Sequence, residues 1–123
     1  MAEVSGDFND PLLTGVVVFP PDTKPVQNAR MHLRLEDVSL ADAPATLVIE
    51  RTYESISLPG GAERLSFELH GQIPSPVAHY SVRVLLDVDG DGEISAGDYI
   101  STESYPVLTF GHPKQVEISV RRV

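Results

Sequence analysis

Residues 87–98 read DVDGDGEISAGD. Aspartates stand at the first, third and fifth places, as Asp87, Asp89 and Asp91. Gly92 holds the sixth place, Glu93 the seventh, Ser95 the ninth and Asp98 the twelfth. This is the spacing of a calcium-binding loop of EF-hand type. Calcium takes about six to eight oxygens at roughly 2.3–2.6 Å. A chain coiling around the ion turns alternate side chains inward, so the three aspartates converge and Asp98 closes the far side. Glu93 would offer its backbone carbonyl, and Ser95 its hydroxyl, directly or through water. Gly92 supplies a turn that a side chain would hinder. Ile94, at the eighth place, is apolar and is expected to pin the loop to the core.

The charges make the same point energetically. Two carboxylates ~5 Å apart repel by roughly 3 kcal/mol at an effective dielectric near 20. A bound divalent cation reverses that sign. Asp98 stands where glutamate is usual, and its shorter arm predicts weaker binding than in a buffer-type site. Magnesium is the competing ion, held back by its stricter octahedron. The competing account is an acidic Asp-Gly hairpin turn that binds nothing.

What positions the loop is strand, not helix. Tyr80, Val82, Val84 and Leu86 alternate with Ser81 and Arg83 just before it. Met31, Leu33 and Leu35 alternate with His32, Arg34 and Glu36; Leu65, Phe67 and Leu69 with Ser66, Glu68 and His70. Val116, Ile118 and Val120 repeat the pattern near the end. A period of two marks half-buried strands. LTGVVVFP and TLVIERTY are apolar or mixed on both faces and read as central strands or strands under a loop. YISTESYPVLTF reads as one more strand, interrupted at Pro106. SLADAPA forms at most one helical turn. The count is about seven strands, an all-β domain read as a single β-sandwich of mainly antiparallel Greek-key type, similar to transthyretin or immunoglobulin domains. Residues 1–11 read as a flexible leader and 12–123 as the sandwich.

Composition bounds the function. The chain has 123 residues, enough for one domain with its own core. Nine basic and 18 acidic residues give a formal charge of −9. That disfavours nucleic acid and anionic lipid as partners and favours cations. No cysteine is present, which leaves no disulfide, thiol nucleophile, Cys-based zinc set or cysteine to carry a lipid. No apolar run is long enough to span a membrane. MAEVSGDFNDPLL lacks the basic and apolar regions of a signal peptide and is consistent with a trimmed, exported chain.

LRLEDVSLADAPATLVIERT and YPVLTFGHPKQVEISVRRV resemble the YbaY/YscW-like lipoprotein family, which includes pilotins of type III secretion. The similarity runs from about Leu13 to Val123, and residues 37–45 carry its most specific part. The resemblance implies a small periplasmic β-sandwich, lipid-anchored and without catalysis, whose pilotin members chaperone a secretin to the outer membrane. The acidic loop reads as an insertion into that pattern. The residues alone explain the 37–45 stretch more plainly: Asp37, Ser39 and Asp42 can satisfy local backbone donors, and Pro44 fixes the next strand.

Enzyme readings find no support. His32, His70, His79 and His112 have no ligand spacing, and two of them fall on polar strand faces. No nucleophile elbow, phosphate loop or HExxH is present. Tyr53, Tyr80, Tyr99 and Tyr105 could build a sugar-binding surface, although Tyr80 sits on an apolar face. The leading expectation is a non-enzymatic calcium-binding module of an exported bacterial protein, periplasmic or extracellular, with Ca2+ stiffening the hairpin through Asp87, Asp89, Asp91, Glu93, Ser95 and Asp98. The alternative is a pilotin-like chaperone that binds a secretion-system peptide along a strand edge.

Overall fold

A computed structural model describes residues 11–40 and 42–123. The expected leader, apart from Pro11, lies outside the described residues. Eight strands follow one another: β1 (Leu13–Val18), β2 (Val26–Asp37), β3 (Thr46–Leu58), β4 (Arg64–Leu69), β5 (Tyr80–Asp87), β6 (Tyr99–Ser101), β7 (Pro106–Val107) and β8 (Gln115–Arg122). No helix forms among the described residues.

The all-β expectation holds, but the strands do not divide into two separate sheets. One path runs β3-β2-β5-β6-β8-β1-β4, with β7 also on β5. The pivot is β8. Its residues 115–119 pair in parallel with β1, and its residues 120–122 pair antiparallel with β6. A strand shared in this way bends the sheet round until its two edges, β3 and β4, approach each other. The result is a mixed sheet nearly closed into a barrel-like shape. The alternation read from sequence cannot report it, because it fixes which face a side chain takes and not which strand lies beside it.

Inside, alternate residues meet. Met31, Leu33 and Leu35 stand beside Leu86, Val84 and Val82 of β5 on the inner face, in one core cluster with Ile118, all essentially inaccessible to solvent. Each such side chain contributes about 1.5–3 kcal/mol on burial. Tyr80 and Tyr99 are buried too, so two of the four tyrosines are core rather than surface. Phe19 meets Tyr99 edge-on, 5.7 Å between centroids. Gly15 lets Phe67 cross β1: a Cβ there would lie 2.5 Å from Phe67 Cζ and from the Val116 carbonyl oxygen.

Two sequence expectations are corrected. TLVIERTY, read as a central or covered strand, belongs to β3, the edge strand, and is mostly exposed. YISTESYPVLTF is two short strands rather than one: β6 pairs with β5 at Leu85 and Leu86, β7 at Tyr80 and Ser81.

Where strands are missing, tyrosine hydroxyls take their place. Tyr53 Oη donates to the Glu68 carbonyl and accepts from the Glu68 N–H, both at 3.3 Å, across the gap between β3 and β4. Tyr105 Oη does the same for Ser119 on β8, at 3.3 and 3.0 Å. Tyr80 Oη bridges both groups of Ser75 at 2.6 and 3.1 Å, and Tyr99 Oη accepts from the Lys24 N–H. A phenol supplies one donor and one acceptor, which is what a passing peptide would supply.

These features rank by cost. Gly15→Ala should destabilise by about 3 kcal/mol, because the collision involves backbone and a packed ring. Tyr53→Phe should cost about 1 kcal/mol, because water reaches the freed groups of Glu68. Urea titration of the two variants against the parent chain measures both.

Candidate functional site

Two places can do chemistry or recognition: the acidic loop at one end of the barrel, and the gap between β3 and β4 on its flank.

The loop joins β5 to β6. Asp87 ends β5 and is fully buried; Asp98 precedes β6 at 1% exposure. Buried carboxylates need donors. Asp87 accepts from the Gly90 and Gly92 N–H groups at 3.0 and 2.7 Å, one on each oxygen. Asp98 accepts from the Val88 and Ser95 N–H groups at 2.8 and 3.0 Å. Gly92 has a φ of 80°, which a side chain would resist, as the sequence predicts. Ser95 and Asp98 close one turn, with the Asp98 N–H donating to the Ser95 carbonyl at 3.1 Å.

Of the predicted ligands, Asp87, Asp89, Asp91 and Asp98 come together: each can place an oxygen within 4.8 Å of the others. Ser95 joins them, its hydroxyl lying 3.1 Å from Asp89 Oδ2 and 3.2 Å from Asp98 Oδ2. Glu93 contributes no side-chain oxygen to the group; its N–H donates to Asp91 Oδ1 at 2.9 Å. Ile94 does not pin the loop to the core. It is 59% exposed and lies with Leu85 and Ile100 beside a groove on the outer face of the sheet. The exposure of Ile94 follows from a loop whose residues 89–94 all lie at the surface.

The electrostatics of the cluster are divided. Asp89 is held below the ordinary carboxylate value, first by a hydrogen bond with the Asp87 side chain and then by the Asp91 amide and Ser95 hydroxyl, against desolvation. Asp91 is raised. The Glu93 amide pulls it down, but desolvation, Asp89 and Asp87 together outweigh that pull.

The flank is the second place. Arg51 and Tyr53 reach from β3 to β4: Arg51 Nη1 donates to the Glu68 carbonyl at 2.8 Å, and the guanidinium stacks 4.4 Å from the Tyr53 ring centroid. Beside this arm opens a groove of about 720 Å³, floored by outward residues of β1, β4 and β8, among them Val16, Ser66, Glu68 and Gln115. Nothing in TLVIERTY names Glu68 as the partner of this arm, because it lies 15 residues from Tyr53 in the chain and is met only through backbone. The histidines form no centre: the aspartate cluster is the one group of three or more potential metal ligands among the described residues. His70 pairs with Glu68 at 3.0 Å, and His32 is more enclosed than a surface reading implies, its Nε2 buried without a partner.

The family model for the type III secretion system lipoprotein chaperone YscW matches residues 9–120. The chain belongs to the YscW family. Among solved structures it is similar to an alternative pilotin from the type II secretion system of Vibrio cholerae, at 26% identity and a TM-score of 0.65, over 90% of this chain and 95% of that one. No curated protein matches the chain. In this YscW-family chain one bond of the 37–45 stretch is local and one reaches the residue before β5. Asp37 Oδ1 accepts from the Ser39 N–H at 2.9 Å, and Ser39 Oγ accepts from the His79 N–H at 3.0 Å. The Ser39 hydroxyl, followed by its amide, holds Asp37 below the usual carboxylate value.

Two substitutions separate the roles within the loop. Asp98→Ala leaves buried donors unpaired and should cost about 3 kcal/mol. Asp91→Asn should stabilise the metal-free chain at neutral pH, since it removes a charge its neighbours repel. A raised folded-state value means that the Asp91 contribution is present at low pH and is lost as pH rises through that value. The advantage of Asp91→Asn should therefore fade as pH falls below the ordinary carboxylate range. Melting temperatures of both chains in chelator across pH measure it.

Proposed function

We propose that this chain is a pilotin-like chaperone, a non-enzymatic protein on the periplasmic side of the envelope that binds a protein of a secretion system. Its kinship with a family described as secretion lipoprotein chaperones, and with a solved pilotin, supports the role. The observation that carries the binding mode is the open flank. β3 is a 13-residue edge strand, and Arg51 and Tyr53 alone reach from it to the Glu68 backbone. An extended segment of the partner adds to this edge by main-chain pairing, and its side chains settle in the groove beyond the arm. The arm is held by exposed hydrogen bonds of about 1 kcal/mol each, so a strand can displace it at little cost.

Capture from a periplasmic extract, with mass identification, tests the reading. The parent chain should retain a secretion-channel subunit, and Arg51→Ala with Tyr53→Ala should change that retention by about fivefold or more, an effect of order 1 kcal/mol. Asp89→Ala with Asp91→Ala should retain it as the parent does. A parent chain that holds no such subunit, or a flank variant indistinguishable from it, contradicts the proposal.

A second reading has one specific observation in its favour. The convergence of Asp87, Asp89, Asp91 and Asp98, with the Ser95 hydroxyl among them, suits a hard divalent cation, and calcium above magnesium. Each carboxylate has lone pairs beyond those its amides use. In this reading Ca2+ stiffens the β5–β6 hairpin and leaves the flank as it is. Isothermal titration of the chelator-stripped chain should give heat and a raised melting temperature with calcium. No heat and no shift at millimolar calcium would count decisively against the ion.

A further inference from the structure

The gap between β3 and β4 is framed by two edges, and hydrogen bonding fixes which residues of each face it. The Val84 N–H donates to Ser101 Oγ at 3.0 Å, so Val84 turns its backbone groups toward β6 and away from β2. Opposite residues of an antiparallel pair turn together, toward each other or apart. Leu33, opposite Val84, therefore turns to β3, and Arg51, opposite Leu33, turns back to β2. That leaves the N–H and carbonyl groups of Glu50 and Thr52 facing the gap. On β4 the Leu69 carbonyl accepts from the Leu12 N–H at 2.7 Å, on the β1 side. Glu68 and Ser66 thus face the gap from across it. The Tyr53 hydroxyl serves Glu68 alone.

The gap has room for one strand and not for two. Two strand spacings make about 9.6 Å. An extended tyrosine side chain followed by a 3.3 Å hydrogen bond spans a distance of that order. The two edges run antiparallel to each other, as the pairing along the sheet dictates. A strand between them is antiparallel to one and parallel to the other, as β8 already is between β6 and β1. Side chains set the pattern of the occupant. On the inner face, Ile49 of β3 and Leu65, Phe67 and Leu69 of β4 flank the gap. On the outer face stand Glu50, Thr52 and Glu54 of β3, and Ser66 and Glu68 of β4. Each of these three acids meets its own cation through one oxygen, with Arg34 at 2.6 Å, Arg30 at 3.0 Å and His70 at 3.0 Å, and keeps the other oxygen for a second. Arg64, the cation on the outer side of β4, is at the far end of that strand and paired with Glu117 at 2.6 Å. Arg51 belongs to the arm that an entering strand displaces.

We propose that the gap takes one strand of the partner, paired on both sides, in which apolar and cationic side chains alternate. The inference rests on the edge reading above and adds to it a second edge and a side-chain pattern. The apolar side chains replace the Arg51–Tyr53 arm beside Leu65 and Phe67. The lysines or arginines stand between Glu50 and Glu54 on one side and Glu68 on the other, where opposite charges on neighbouring strands attract. An acidic strand in the same place sets like charges side by side. Both edges are then paired and the sheet closes.

A dye-labelled synthetic peptide of alternating valine and lysine tests this by fluorescence anisotropy. In an extended strand the lysine amides all point to one side and the valine amides to the other. N-methylation of one set therefore blocks pairing with β3, and of the other set pairing with β4. Either set alone should weaken binding on the order of tenfold or more, and so should glutamate in place of lysine. Glu50→Gln with Glu54→Gln and Glu68→Gln should weaken the lysine peptide about fivefold or more. Asp89→Ala with Asp91→Ala should leave it unchanged. If only one N-methylated set matters, the peptide adds to a single edge: the insertion is overturned and the edge reading stands. If neither matters, main-chain pairing is overturned for both. Equal binding of the lysine and glutamate peptides overturns the proposal, as does weakening in the Asp89–Asp91 variant but not in the glutamine variant. No binding of the lysine peptide at millimolar concentration overturns it too, while capture from the extract still reports on the edge reading by itself.

Discussion

A strand at the edge of a sheet leaves every second residue with an N–H and a carbonyl that need partners. This chain answers that constraint with tyrosine. Its bent path leaves gaps beside β4 and β8, and in each gap a phenol hydroxyl bonds both backbone groups of one residue. A third tyrosine fastens the 70–79 connection at Ser75 in the same way, and the fourth holds the Lys24 amide. Each hydroxyl acts at one residue only. The barrel-like form is thus fixed by its buried core and closed only by spots along its flank, which leaves most of β3 available as an edge.

The acidic loop obeys a different balance. Its carboxylates repel, and its amides offset part of that repulsion by donating to Asp87, Asp98, Asp89 and Asp91. The buried pair is the best satisfied, so Asp87 and Asp98 anchor the loop whatever else is bound. The outer pair bears the residual strain, with Asp89 lowered and Asp91 raised. A cation would act on that outer pair most. The loop therefore has a structural role that stands by itself.

Much of this was legible in residues. Clean alternation placed β2, β4, β5 and β8, and it put Tyr80 in the core. The aspartate spacing marked four side chains that do converge. What alternation could not give was lateral order. TLVIERTY reads as covered because it is apolar, yet β3 has a strand on one side only, and its inward face carries Arg51 and Tyr53 where a sealed sheet would carry Val or Leu. That pair of polar residues on the core side was the available signal for an edge. Ile94 misleads for a related reason: an apolar residue in a loop can lie outward, beside the groove it shares with Leu85 and Ile100, as readily as inward. The hydroxyl bridges of Tyr53, Tyr99 and Tyr105 were invisible because each joins a side chain to backbone at least 14 residues away in sequence.

The open β3 edge is the claim on which the functional account stands. Amide hydrogen exchange reads it directly, on the chain alone and then with a partner captured from a periplasmic extract. The edge account predicts that β3 amides without a β2 partner exchange fast in the free chain and become protected in the complex, while those of β1 and β8 change little. Protection of the free β3 edge before any partner is added, or a complex that protects other surfaces and leaves β3 fast, would contradict it.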